Sequence, residues 1–189
     1  MLLSDVELRA AIDAGRLAFA PELRGAAIQA ASIDLTLHNV FWRQRAEEGA
    51  GIERIVDPTV ARVYDYADRI DAPEIEILPG GFILGETAEG VSLDHGLCGL
   101  IEGKSGRARH GLIVHCTAPH IAPGWGMDPP APGGTTKVAN PKRVTLEIVN
   151  LGHVKLKLRA GTSIAQLMVM PTGVPASDGY AGRHRTEGT

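Results

Sequence analysis

The sequence predicts a mainly β protein, a distorted antiparallel barrel of jelly-roll type with one N-terminal helix and few short helices. Three observations carry this. About ten short runs are apolar or alternate in polarity, and turn signals separate them. Glycine (23) and proline (12) punctuate the 189-residue chain regularly. Only the first segment has a clear helical period.

That segment is "SDVELRAAIDAG". Ser4 is an N-cap with Glu7 at capping-box spacing, Val6, Leu8, Ala11 and Ile12 recur on one side, and Gly15 supplies a left-handed stop. "LAFAP" is extended. "ASIDLTLHNVFW" alternates, with Ile33, Leu35 and Leu37 on one face and Asp34, Thr36 and His38 on the other. "EIEILPGGFILGET" is a strand with Ile75 and Ile77, a Pro-Gly-Gly turn and a second apolar strand. "GVSLDHGLCGLIEGK" continues in short strands and turns. "HGLIVHCTA" is a β-branched strand running into Pro119. "RVTLEIVN" sets Val144, Leu146 and Ile148 on one face and Thr145, Glu147 and Val149 on the other. "VKLKLRAG" turns Val154, Leu156 and Leu158 inward, and "TSIAQLMVM" is a buried strand.

The length suits one domain, residues 1–189. Residues 43–72 are charged and suit a loop with a short helix. Residues 126–143, "GMDPPAPGGTTKVANPKR", form an inserted loop too rich in proline and glycine for regular structure. Residues 176–189 form a polar, cationic, flexible tail.

A formal net charge of −3 supplies no global field for nucleic acid, so an anionic ligand needs a local cationic cluster. No apolar run approaches the ~20 residues of a membrane span. The N-terminus lacks the basic and apolar regions of a signal peptide. Cys98 and Cys116 lie in apolar runs and read as buried free thiols, in keeping with a reducing cytoplasm. The seven histidines are scattered, with no H-x₃-H, C-x-x-C or H-x-E, so no tetrahedral zinc site is expected. His115 reads as structural, and without a G-x-S-x-G elbow nothing makes Ser105 a nucleophile.

Two stretches invite chemistry. "GKSGRARHGL" places Lys104, Ser105, Arg107, Arg109 and His110 among Gly103, Gly106 and Gly111. Such a turn can bring backbone, hydroxyl and cationic donors to phosphate oxygens, although a solvated surface turn has the same pattern. Glu147 stands on an otherwise apolar strand. It is either an outward, solvated glutamate or a pocket carboxylate whose pKa burial would raise for acid–base work.

Together these segments resemble the dCTP deaminases of the trimeric dUTPase-like superfamily. The resemblance rests on "LSDVELRAAIDAGRLAFAP", "IQAASIDLTLHNVF", "GFILGETAEGVSLDHGLCGLIEGKSGRARHGL", "IVHCTAPHIAPGW", "VTLEIVNLG" and "LRAGTSIAQLMVM", in that order. It implies a dUTPase-like fold and zinc-independent removal of ammonia from C4 of cytosine in dCTP, giving dUTP. It implies that Glu147 is the catalytic acid and base, with Ser105 and Arg109 polarising and holding the site. Substrate contacts are implied for Lys104, Gly106, Arg107 and Ala108 of the turn. Others are implied for Ala122, Thr145, Leu146, Gln166 and Tyr180, with Tyr180 near the triphosphate. Magnesium would arrive on the triphosphate, and three subunits would share each site in a cytoplasmic homotrimer.

The chain departs from the family pattern in places. Ala122 stands where the family has an acidic residue that helps bind the deoxyribose. Gly106 replaces a second serine, an insertion separates Trp125 from Glu147, and the chain ends "AGRHRTEGT", in which Arg183, His184 and Arg185 could serve as phosphate ligands. Two other functions stay open: a dUTPase-like or bifunctional hydrolase releasing pyrophosphate, and a non-catalytic nucleotide-binding relative.

Overall fold

The computed structural model describes residues 1–45, 55–130 and 137–180. Helix α1 (Asp5–Asp13) precedes β1 (Leu17–Ala20), β2 (Ile33–Gln44), β3 (Ala67–Asp71), β4 (Glu74–Ile77), β5 (Phe82–Leu93) and β6 (Leu97–Gly103). A short helix α2 (Ser105–Ala108) leads to β7 (Leu112–Ile113), β8 (His120–Ile121), β9 (Met127–Asp128), β10 (Val138–Ala139), β11 (Lys142–Asn150), β12 (Leu156–Arg159) and β13 (Ser163–Pro171).

Nine strands form one antiparallel sheet in the order β7-β11-β5-β2-β13-β6-β8, with β1 paired to β5 and β3 to β2. It curls into a half-barrel of the expected jelly-roll-like class. β4 pairs with β12, and β9 with β10.

Period-2 alternation decides what fills the interior. Leu35 and Leu37 of β2, Ile83 of β5, Leu146 and Ile148 of β11 and Leu167 of β13 are buried together with Phe41. Each such side chain contributes about 1.5–3 kcal/mol over leaving it in water. α1 closes one edge with Leu8 and Ala11. Its capping box is formed: Ser4 N–H donates to Glu7 Oε2 at 2.8 Å, and Glu7 N–H donates to Ser4 Oγ. Gly15 (φ +68°) takes the left-handed stop. No helix among the described residues is long and apolar enough to cross a membrane.

Several local expectations change. The apolar run after Gly111 pairs only over Leu112–Ile113, because the chain bends at Val114 and Cys116 adopts a positive φ of 37°. Cys116 is therefore exposed, whereas Cys98 is half-buried; both are free. Val154 precedes β12 and is exposed rather than inward. Among its described residues the charged stretch 43–72 contains β3 and a 3₁₀ turn at Val63–Asp65; its middle lies outside them. Within 126–143, β9 and β10 form a small ladder.

Candidate active site

β6 delivers the cationic turn. Lys104 is extended, Ser105–Ala108 make one helical turn, and Gly111 (φ +86°) redirects the chain into β7. Gly111 is the one glycine of this turn in the left-handed region; Gly103 and Gly106 are not. A methyl group on Gly106 would meet open space.

The cations of the turn divide into two kinds. Lys104 Nζ lies 2.5 Å from Asp34 Oδ1 on β2. Arg107 donates from both Nε and Nη2 to the Ser163 carbonyl, at 3.2 and 3.1 Å. These two fasten the turn to β2 and to the start of β13. Gln166 adds a third tie, its amide donating to the Gly103 carbonyl at 3.4 Å. Ser105, Gly106, Ala108, Arg109 and His110 are exposed. No side-chain hydrogen bond or ion pair engages Ser105, Arg109 or His110 among the described residues.

Glu147 is half-buried on β11. Leu146 and Ile148 on either side point into the core and are fully buried, so the glutamate takes the opposite face, as the alternation requires. It lies opposite Leu84 of β5. The Cys116 thiol donates to the Glu147 carbonyl oxygen at 3.6 Å. Burial raises the pKa of that thiol, and the Glu147 charge raises it further. Thr145 sits two residues away on the face of Glu147, opposite Glu86. β7, which follows the cationic turn, pairs with Val149 and Asn150 of the same strand, beyond Glu147.

Sequence reading missed Glu86, although it stands on an apolar strand just as Glu147 does. It is buried, with Arg143 Nη1 3.8 Å away. Burial raises its pKa against the opposing pull of Arg143 and Arg69. Nearby, His38 is held below its usual pKa, chiefly by burial and then by Arg143. His115 has a structural partner: Nε2 lies 3.2 Å from Glu102 Oε2.

The corner "APGW" carries Ala122 and receives Tyr180, two further residues expected to contact substrate. Ala122 is half-buried and its carbonyl accepts from Trp125 N–H at 3.2 Å. Gly124 (φ +77°) lets the tail approach: a methyl group there would lie 2.7 Å from Gly179 Cα. Tyr180 N–H donates to the Pro123 carbonyl, and its ring packs on Trp125 with centroids 5.1 Å apart. His95 holds the same segment, with Nδ1 3.0 Å from the Ala176 carbonyl and Nε2 2.7 Å from Lys137 Nζ. An ammonium can only donate, so Nε2 is the acceptor and Nδ1 carries the proton. Arg183, His184 and Arg185 lie outside the described residues. Among the described residues no three His, Cys, Asp or Glu are grouped as metal ligands.

The sequence and the fold of the chain match one class of protein. Residues 2–172 fit the family model described as dCTP deaminase-like. The chain is 36% identical over 184 residues to the dUMP-forming dCTP deaminase of Parafrankia sp. (strain EAN1pec), covering 95% of this chain and 81% of that protein. It is 34% identical over 191 residues to the dCTP deaminase of Pectobacterium atrosepticum, covering 97% and 90%. The fold matches the crystal structure of the 2'-deoxycytidine 5'-triphosphate deaminase from Agrobacterium tumefaciens with a TM-score of 0.59 at 19% identity. That match covers 89% of this chain, which spans about half (47%) of the other. The chain belongs to the dCTP deaminase-like family.

Proposed function

We propose that this protein hydrolyses the C4 amino group of dCTP, with Glu147 as the acid and base. The observation that carries the reading is the placement of Glu147: a half-buried carboxylate between two fully buried aliphatic neighbours, in a chain of this family. The carboxylate takes a proton from water as oxygen attacks C4 and gives it to N3; it then takes the proton of the new C4 hydroxyl and passes it to the amino group, which leaves as ammonia as the C4 carbonyl forms. Ser105 and Arg109, exposed on one subunit, serve the Glu147 of the next in a homotrimer, where the arginine keeps a positive charge beside the carboxylate. The turn receives the triphosphate with its magnesium as part of the substrate, and Tyr180 borders it. The β11 backbone at Thr145 and Leu146 reads the edge of the base. The proposed setting is the cytoplasm.

The product is dUTP unless the phosphate chain is also cut. A bifunctional reading, ending in dUMP and pyrophosphate, is favoured by one observation: the Parafrankia relative is dUMP-forming. Ala122 weighs against it, since the acidic side chain that would serve hydrolysis is missing at that corner. Incubation with dCTP, CTP, dCMP and dUTP plus magnesium separates the readings. Ammonia with dUTP supports simple deamination, and ammonia with pyrophosphate supports the bifunctional enzyme. Binding without turnover in every case overturns both.

A further inference from the structure

Lys104 already has a counter-ion. Asp34 Oδ1 lies 2.5 Å from its ammonium, and the two side chains are only 30% and 19% exposed. Strand register builds this contact. Asp34 of β2 lies opposite Gln166 of β13, and Gln166 lies opposite Glu102 of β6, so the three form one row across the sheet. The row runs directly under the turn, because Gly103 and Lys104 continue β6 just past Glu102. Asp34 is thus a fixed negative charge at the base of a cationic loop, carried by a rigid central strand.

A phosphate oxygen and a carboxylate oxygen make the same demand on an ammonium, namely a short charge-assisted contact. They compete for Lys104. Partial burial sharpens the competition, since solvent screens the pair less than it would at a free surface. A ligand with several charges and several contacts can share or displace Asp34, whereas a singly phosphorylated ligand has less to offer in exchange.

We propose that Asp34 is an affinity-setting residue for the polyphosphate of the substrate. In the empty site it neutralises Lys104, and an arriving triphosphate must take the ammonium from it. The inference rests on the reading that the turn receives the triphosphate. Asp34 does not touch the reacting base. It acts through Lys104, weakening binding of short phosphates more than that of long ones and easing product release.

Calorimetry with inorganic tripolyphosphate and with orthophosphate at low salt tests this on the full chain, independently of turnover. Asp34→Asn should bind tripolyphosphate about three- to fivefold more tightly than wild type, the gain of removing one partly exposed competitor. Its gain for orthophosphate should be larger still. Lys104→Gln should bind tripolyphosphate about tenfold more weakly. The double variant should match Lys104→Gln, and Asp34→Glu should stay near wild type. If Asp34→Asn weakens binding as Lys104→Gln does, the pair is only a brace for the turn and the proposal fails. It fails too if wild type binds no tripolyphosphate, or if neither variant alters the affinity. Should Asp34→Asn not fold, Asp34→Glu and Lys104→Gln still decide: Asp34→Glu binding several-fold away from wild type, or Lys104→Gln binding unchanged, overturns it. A protein that binds with the predicted signs yet never deaminates dCTP would sink the deaminase reading alone.

Discussion

Glu86 and Glu147 lie on the same face of one ladder, Glu86 opposite Thr145 and Glu147 opposite Leu84. Two carboxylates therefore share an outward face of β5 and β11, one buried and one half-buried. They differ in surroundings, and that difference makes separable predictions.

Burial raises the Glu86 pKa in the folded state, so the folded protein holds the proton more tightly than the unfolded chain does. For such a group the stability is fully present below the unfolded carboxylate value and is lost as pH rises through the raised folded value. Glu86→Gln cannot ionise and should melt about 2–4 °C above wild type at pH 7. The advantage should shrink as pH falls through the raised folded value and be gone once pH is below the ordinary carboxylate value. Melting curves from pH 4 to pH 8 check this; a Gln variant less stable than wild type at pH 7 would mean that the Arg143 contact outweighs burial.

Glu147→Gln should lower dCTP deamination by about 10³-fold or more, since the variant can neither accept nor return the proton. The fold should survive the change, because the core neighbours Leu146 and Ile148 are untouched. Ammonia release and a thermal melt, measured on the same preparation, separate lost chemistry from lost fold.

The tail at residues 176–180 is held by His95, Pro123 and Trp125. Gly124→Ala places a methyl group against Gly179 at a backbone angle that disfavours side chains. It should cost about 1–3 kcal/mol and expose the tail. Hydrogen exchange at Tyr180, whose amide donates to Pro123, should quicken while β2 and β5 stay protected.

Gly106 has the opposite character, with open space around it and no left-handed angle. Gly106→Ala should stabilise by about 0.4–1 kcal/mol by restricting the unfolded chain. A lowered melting temperature would mean that the turn changes shape in solution.

Much of this architecture was legible because side-chain alternation is local. The spacing in "RVTLEIVN" is enough to send Leu146 and Ile148 inward and Glu147 outward, and Ser4 with Glu7 is enough to start α1. The run at Leu112 misled because β-branched composition says nothing of the left-handed turn at Cys116 that ends the strand. β3 hid in a charged segment, since an edge strand with polar faces lacks a strong period. At the site, the cationic turn and Glu147 could be picked out by residue type. The contacts that set their behaviour could not: Lys104 with Asp34, and His95 with Lys137, join residues far apart in the chain. Glu86 bears the same signal as Glu147, a carboxylate on an apolar strand, but residue type alone does not tell a buried carboxylate from a solvated one.

The most direct test of the central claim mixes two inactive variants. Glu147→Gln keeps an intact cationic turn, and Arg109→Ala keeps an intact carboxylate. Co-expressed as mixed trimers, about a quarter of the subunit interfaces join one intact turn to one intact carboxylate. Deamination of dCTP should reappear at roughly that fraction of the wild-type rate. Mixtures as inactive as either variant alone would contradict a site in which one subunit's arginine serves the next subunit's glutamate.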